Sequence, residues 1–225
     1  VGRAVNGVTH DVNNHLGAVL AYAELVALED HIDDDGRHML SEVVNGVKRA
    51  SRLMSILTGI ARKDRGQVSI ADPETLLRQL LELYDYNLKL SRLRVEDAIA
   101  SGLPQVIGHR ARLQLALLYM LQNAEEAAIE SEERRIAIAA RACDADDPRG
   151  AGVEITIWNS GAPIDADEQA HMFEPFATTK GEGHLGLGLS LARHTFEEHR
   201  GTLGYEPDAG FVAWLPLDTG CQLHT

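Results

Sequence analysis

Residues 158–192 read WNSGAPIDADEQAHMFEPFATTKGEGHLGLGLSLA. The stretch leaves a strand at "WN", turns at Gly161, runs through a polar segment and re-enters a helix on Gly186 and Gly188. A glycine after a strand suits a place where backbone must approach a ligand closely. Backbone N–H groups at a helix N-terminus hold phosphate oxygens well. Alone, a glycine-rich turn is often only a loop. Its meaning depends on what precedes it.

Upstream, "LLYMLQNAEEAA" reads as a helix, and the wheel turns Asn123 about 120° from its apolar face. In isolation that is an asparagine facing solvent. Two strands, "RRIAIAARA" and "VEITIWN", flank the loop "CDADDPRGAG". Earlier, "VSI" and "LRVEDAI" read as strands around the helix "DPETLLRQLLELYDYNL", with Asp72 as N-cap and Pro73 at its first position. After the glycine-rich stretch come a helix from about Leu187 to His199 and the strands "TLGYEP" and "FVAWLPL". This half of the chain is α+β, a mixed sheet backed by helices.

The first 60 residues differ. Val5, Val8, Val12, Leu16, Val19, Ala23 and Val26 step by threes and fours, as do Leu40, Val43, Val47, Ala50, Met54, Leu57 and Ala61. Between them "EDHIDDDG" makes a short acidic loop closing at Gly36. Two such helices form an antiparallel hairpin, and two hairpins pressed seam to seam form a four-helix bundle, so the pattern predicts a homodimer. The first helix also crowds His10, Asp11, Asn13 and Asn14 into one turn. His10 falls roughly 160° from the seam centre, with Asn14 close by on the far side, so both face outward. His15 falls roughly 60° from the seam and is expected to be partly packed.

Composition narrows the function. The chain has 225 residues, 34 acids against 21 bases and a formal net charge of -13. That argues against nucleic acid as the main ligand, because a phosphate backbone asks for a basic surface. Nucleotides remain open, being held by local groups and Mg²⁺. Cys143 and Cys221 lack metal-ligand spacing and read as incidental thiols of a reducing compartment. No run of about 18 apolar residues spans a membrane and no signal peptide is evident. The start at Val1 without a methionine suggests a fragment. A cytoplasmic location is expected, with no membrane contact by this segment, although further segments could attach the whole protein to a membrane.

Taken together, five stretches resemble the two-component sensor histidine kinases over nearly the whole chain. "THDVNNHL" is similar to their H-box, "LQNAEEA" to the N-box, "WNSGAPI" to the first glycine box, "FEPFATTK" to the F-box and "GHLGLGLS" to the second glycine box. The resemblance implies a dimerisation and phosphotransfer hairpin over 1–63, a linker over 64–67, a catalytic ATP-binding domain over 68–217 and a tail over 218–225. The ATP-binding domain would be an α/β sandwich of the Bergerat type shared with gyrase, Hsp90 and MutL.

The resemblance also implies roles. His10 would be the phosphoacceptor, attacking the γ-phosphate of ATP through Nε2, with Asp11 accepting a hydrogen bond from Nδ1–H. Asn14 would orient water against the aspartyl-phosphate of a partner response regulator receiver domain, giving phosphatase activity. Asn123 would hold Mg²⁺. Asn159, Gly161, Lys180, Gly186, Leu187 and Gly188 would bind ATP, with about 161–185 as a mobile lid. The implied function is an ATP-dependent protein histidine kinase passing phosphate to a response regulator.

Three departures bear on this. The first glycine box ordinarily opens with an aspartate that accepts from the adenine amino group, and Asn159 stands there, keeping an acceptor oxygen without the charge. Tyr119 stands where the N-box has an earlier asparagine. His15 replaces a proline, so the first helix should be straighter. Asn159 and Tyr119 motivate an alternative, a phosphotransfer or scaffold module that keeps the dimeric hairpin and has lost ATP. A Bergerat ATPase clamp gives the H-box hairpin no role.

Overall fold

The computed structural model describes residues 16–23, 25–27, 32–41, 43–44, 47, 68–177 and 186–217. The chain divides into two compact units, one within Val1–Gly66 and one of Gln67–Thr179 with Leu185–Thr225. His10, Asp11, Asn13, Asn14, His15, Lys180 and Cys221 lie outside the described residues, as do the proposed linker and tail.

In the first unit, residues 16–23 and 25–27 are helical, as are 34–41, 43–44 and 47. Asp33 caps the second helix. Its carboxylate accepts the Gly36 N–H at 2.8 Å, and its carbonyl accepts the Arg37 N–H at 3.0 Å. Gly36 therefore sits in the first helical turn, where the sequence placed the end of a loop. The aspartate run supplies the cap earlier than the glycine supplies a break, because a side-chain acceptor satisfies the orphan N–H groups of a first turn. Arg37 Nη1 donates to the Ala27 carbonyl at 3.4 Å, linking the two helices. Ala23 and Val47 are buried, whereas Val19, Val26 and Val43 are exposed.

The second unit begins with β1 (Ser69–Ala71) and α1 (Pro73–Leu90). Asp72 caps α1: Oδ1 accepts from the Glu74 and Thr75 N–H groups at 3.1 and 3.4 Å, and Oδ2 from Thr75 Oγ1 at 2.6 Å. Pro73 at the first position gives up an N–H that had no helical partner. Leu76, Leu77, Leu80, Tyr84 and Leu88 recur at three- and four-residue steps and are all buried. Next come β2 (Arg94–Ile99), β3 (Val106–Gly108) and α2 (Arg110–Ile129). They are followed by β4 (Arg135–Cys143), β5 (Gly152–Asn159), α3 (Ala166–His171), α4 (Gly188–Glu198), β6 (Thr202–Glu206) and β7 (Gly210–Pro216).

Five strands form a sheet in the order β2-β4-β5-β7-β6, and β1 pairs with β3 in a small antiparallel ladder. Only β2 and β4 run parallel in the larger sheet. Register aligns Ile138 with Ile157 and Ile157 with Phe211, so one face carries Ile136, Ile138, Ile155, Ile157, Phe211 and Ala213, all buried. Period-two alternation in the sequence encodes this face. Helix α2 is buried from Leu113 to Ala128 on more than one side, as a helix between other elements must be. Phe196 and Ala192 bury α4. A Phe196→Ala cavity would cost about 3–5 kcal/mol. The mixed sheet backed by helices is the fold class read from the sequence. Strand β3 and helix α3 are additions to that reading.

Candidate functional site

Three residues of α2 build the site: Tyr119, Asn123 and Ala127, four apart and so on one side of the helix. At one end, a Cβ on Gly188 would lie 3.4 and 3.5 Å from two atoms of the Tyr119 ring. At the other, a Cβ on Gly161 would lie 2.7 Å from the Ala127 carbonyl oxygen. No side chain fits at 161 without moving backbone, so a glycine is required there. Asn123 lies between these two contacts. The residues of the N-box and of both glycine boxes are thus brought to one side of one helix.

The Asn123 side chain is half-buried, and its Nδ2 donates to the Tyr119 carbonyl at 3.4 Å. That bond turns the amide nitrogen to the helix backbone; of the two amide atoms, the oxygen is the kind suited to a hard cation. A single neutral oxygen is a sparse donor set. It fits Mg²⁺ arriving with phosphate oxygens and water, and not a cage built by protein alone.

The N-terminus of α4 has no side-chain cap; Leu187 stands at the cap position, and Ser190 Oγ donates to the Leu187 carbonyl at 3.0 Å. Among the described residues no side chain caps the first-turn N–H groups, which suits an anion. Just before it, Gly186 has φ of 60°, a left-handed value, and its carbonyl accepts the Phe176 N–H at 3.0 Å. A Cβ there would lie 2.3 Å from the Ala177 carbonyl oxygen. The F-box and the second glycine box are hydrogen-bonded to one another through Phe176 and Gly186. Phe176 itself has φ of 69° and an exposed ring.

At the other end, Asn159 closes β5 opposite Ile136, on the helix-facing side of the sheet. Its Oδ1 accepts the Gly161 N–H at 2.8 Å, a turn typical of asparagine and aspartate. Beside it opens a cleft of about 470 Å³ lined by Arg135, Trp158, Pro163, Tyr205 and Asp208 as well as Asn159 and Gly161. The Arg135 guanidinium lies over the Trp158 ring at 4.7 Å. The lid read as one mobile stretch contains α3, capped by Asp165, whose carboxylate accepts the Glu168 N–H at 2.8 Å. A second cleft, about 520 Å³, lies between Phe173–Pro175 and the Leu187–Glu197 side of α4.

Sequence reasoning missed Tyr119 as a wall of the site, treating it only as a departure. Its small-residue neighbour Gly188 was the available signal. It also missed Glu125, buried in α2, which accepts from Tyr84 Oη and from Ser91 Oγ, the latter at 2.7 Å.

Away from the site, Cys143, Asp147 and Glu154 bring one ligand atom each within 4.8 Å. Arg149 occupies this cluster. Its Nη2 donates to both carboxylates, and its Nε donates to Asp147 at 2.9 Å. These bonds hold the Asp147 carboxyl well below the usual range. Burial pushes the Cys143 thiol up. The cluster is an ion-pair network closing the β4–β5 loop. Among the described residues no helix is long and apolar enough to cross a membrane.

Comparison with known proteins bears on the fold and the family. Residues 108–219 match the family described as histidine kinase-, DNA gyrase B-, and HSP90-like ATPase. The chain is 26% identical over 222 residues to the sensor histidine kinase ZraS of Escherichia coli strain K12, covering 97% of this chain and 46% of ZraS. It is 29% identical over 215 residues to the C4-dicarboxylate transport sensor protein DctB of Rhizobium meliloti, covering 92% of this chain and 32% of DctB. The chain thus spans about half or less of these relatives. The catalytic domain of histidine kinase ThkA superposes with a TM-score of 0.57 at 26% identity, covering 67% of this chain and 95% of that domain. Full-length ShkA in complex with AMPPNP shares the fold, with a TM-score of 0.63 at 21% identity over 98% of this chain and 47% of ShkA. Residues 108–219 thus carry a domain of that ATPase family, and the likenesses support a two-component sensor kinase catalytic core.

Proposed function

We propose that the chain is the working core of an ATP-dependent protein histidine kinase that phosphorylates His10 and passes the phosphoryl group to an aspartate of a response regulator. The observation that carries this is the bracketing of Asn123 between Gly188 and Gly161 on one side of α2. It juxtaposes an oxygen suited to a cation, an uncapped helix N-terminus suited to phosphate and a closely packed turn.

In this reading the uncapped turn at Gly186, Leu187 and Gly188 binds phosphate oxygens through backbone N–H groups, with Lys180 adding positive charge. Asn123 would hold Mg²⁺, which supplies charge neutralisation when bound. Neutral His10 attacks through Nε2, forming the N–P bond as the β–γ bridging bond breaks and ADP departs. Asp11 holds the Nδ1 proton and offsets the charge that develops on the ring. Asn14 orients water for the reverse duty, hydrolysis of the regulator's aspartyl-phosphate. The phosphotransfer hairpin spans 1–63, the linker 64–67 and the ATP-binding domain 68–217. The division of the chain near residue 66 supports that boundary. The protein acts as a homodimer on the cytoplasmic side of its signalling system.

The test is labelling with γ-³²P-ATP. Parent protein should gain acid-labile phosphate and His10→Gln should gain none while binding nucleotide as before. Label retained in His10→Gln would move the acceptor elsewhere, with His15 the first suspect. A second reading, a phosphotransfer or scaffold module without ATP, is favoured by the amide at 159. Folded protein that binds no nucleotide would establish it.

A further inference from the structure

We infer that Ser131 is a positioning residue of the nucleotide site, acting through Ser160, an inference that rests on the nucleotide reading proposed above. The observation is a pair of half-buried hydroxyls. Ser160 stands between Asn159 and Gly161, and its Oγ lies 2.6 Å from Oγ of Ser131, just past the end of α2. Counting protons gives that bond a direction. A serine hydroxyl has one proton to donate and two lone pairs to accept with. Ser131 Oγ donates to the Ala128 carbonyl at 3.0 Å and accepts the Arg134 N–H at 3.1 Å. Its proton is thereby used, so Ser160 is the donor between the two serines. Ser160 Oγ in turn accepts the Arg135 N–H at 2.8 Å. The opposite direction would take the Ser131 proton from Ala128 and leave the Ser160 proton without an acceptor among the described residues.

These bonds supply what the backbone ladder cannot at this point. The pairing of β4 with β5 ends at Ile136 and Asn159. One step on, the Ser160 N–H still donates to the Arg135 carbonyl at 2.9 Å, but the Arg135 N–H is met by the Ser160 hydroxyl in place of a backbone carbonyl. The chain can therefore leave the sheet toward Gly161 without stranding the Arg135 N–H. The proton of the same hydroxyl ties the departing chain to the end of α2. Gly161 then meets the Ala127 carbonyl, where no Cβ fits. Sheet and helix are thus joined at the turn that presents Asn159 and Gly161, and that helix also carries Asn123. A turn held in this way is ordered before a ligand arrives, and ordering that is already complete is not subtracted from affinity.

The experiment compares the parent chain with Ser131→Ala and Ser160→Ala, by calorimetric titration with Mg-ATP and by labelling from γ-³²P-ATP. Ser131→Ala removes the acceptor of the Ser160 proton and leaves the bonds between Ser160 and Arg135 in place. Ser160→Ala removes the hydroxyl from both partners. Affinity for Mg-ATP should fall about fivefold in each variant. In labelling, KM for ATP should rise by a similar factor while the rate at saturating ATP stays within about twofold. A role in stability alone would lower that rate and the number of binding sites, and would leave KM and affinity unmoved. Affinities within about twofold of the parent's overturn the inference, as does a lower saturating rate with KM unchanged. If Ser160→Ala fails to fold, Ser131→Ala decides. A parent chain shown folded by its melting transition that binds no Mg-ATP overturns the nucleotide reading together with this inference; a parent that binds Mg-ATP no better than its variants overturns this inference alone.

Discussion

The backbone N–H of His109 donates to Nε2 of His199 at 2.8 Å, and Nδ1 of the same ring lies 2.6 Å from the Thr195 carbonyl. The two bonds fix the tautomer: Nδ1 carries the proton and Nε2 accepts. One imidazole thereby ties the C-terminus of α4 to the N-terminus of α2, the two helices that supply Gly188 and Asn123. The ring packs against Gly108, where a Cβ would lie 2.5 Å from His199 Cδ2.

Replacing His199 by leucine fills similar space and removes both bonds. The His109 N–H loses its acceptor, so the folded state should lose about 1–3 kcal/mol. Urea unfolding of parent and variant measures it. A difference within error would mean that water takes over the acceptor role without cost. Because His199 does not reach the proposed phosphate turn, nucleotide affinity of the folded variant should change less than stability.

Stability should fall on acidification partly through the β4–β5 loop. Arg149 holds the Asp147 carboxyl below its ordinary value of 3.8. At Glu154 burial pushes upward, but hydrogen bonds from Arg149 and Arg141 outweigh it and hold the group below its ordinary value of 4.5. Carboxyls with depressed folded-state values bind protons more readily when unfolded, so their stabilisation is complete above about pH 5 and is lost as pH falls further. Arg149→Met removes the cation that causes much of this. The variant should be less stable at pH 7, and its unfolding free energy should change less between about pH 5 and 3 than the parent's. Parallel curves would locate the acid sensitivity elsewhere.

Gly186→Ala puts a Cβ at a residue with φ of 60° and 2.3 Å from the Ala177 carbonyl oxygen. The left-handed conformation alone costs about 1–2 kcal/mol with a side chain. The clash adds to it, and its relief must open the Phe176–Gly186 bond. The strain falls where the F-box meets the helix that would bind phosphate. Thermal unfolding should occur several degrees lower, and nucleotide binding should weaken at temperatures where the variant is still folded. An unchanged melting temperature would show that the turn relaxes freely.

These relationships differ in how far the sequence discloses them. Asp72 and Pro73 mark the start of α1 by local chemistry, and the structure has the cap bonds where that chemistry puts them. Alternation in "IAIA" and "VEITI" gives β4 and β5 because one face of the sheet is buried under helices. Strand β3 is three residues long, and its period is too short to see. Helix α3 is six residues long, with a cap at Asp165 lost among other loop-like residues. The burial of Glu125 is not legible in the sequence because nothing local announces Tyr84 and Ser91, 41 and 34 residues away. At the site, the boxes disclose which residues matter. The bond from Ser160 to Ser131 is invisible there, because it joins residues 29 apart in the chain.

The hairpin carries the last prediction, that the chain dimerises through its apolar stripe. The first helix steps through Leu16, Val19, Ala23 and Val26 and the second through Leu40, Val43 and Val47. Within one chain only part of that stripe is used: Ala23 and Val47 are 6% and 8% exposed, while Val19, Val26 and Val43 are 44%, 46% and 45% exposed. Valines half open to water along a continuous helical seam are the surface a second copy would cover, at about 25 cal/mol per Å² of apolar area. Light scattering at micromolar concentration should give about twice 24.6 kDa. Val43→Glu, facing its counterpart across such a seam, would bury a carboxylate without a partner. It should weaken the dimer by tenfold or more and bring the measured mass toward 24.6 kDa at the same concentration. His38→Glu, at an exposed residue on the opposite side of the helix from the stripe, should leave the mass doubled. A monomeric parent, or a Val43→Glu dimer as tight as the parent's, would refute the seam as the dimer contact.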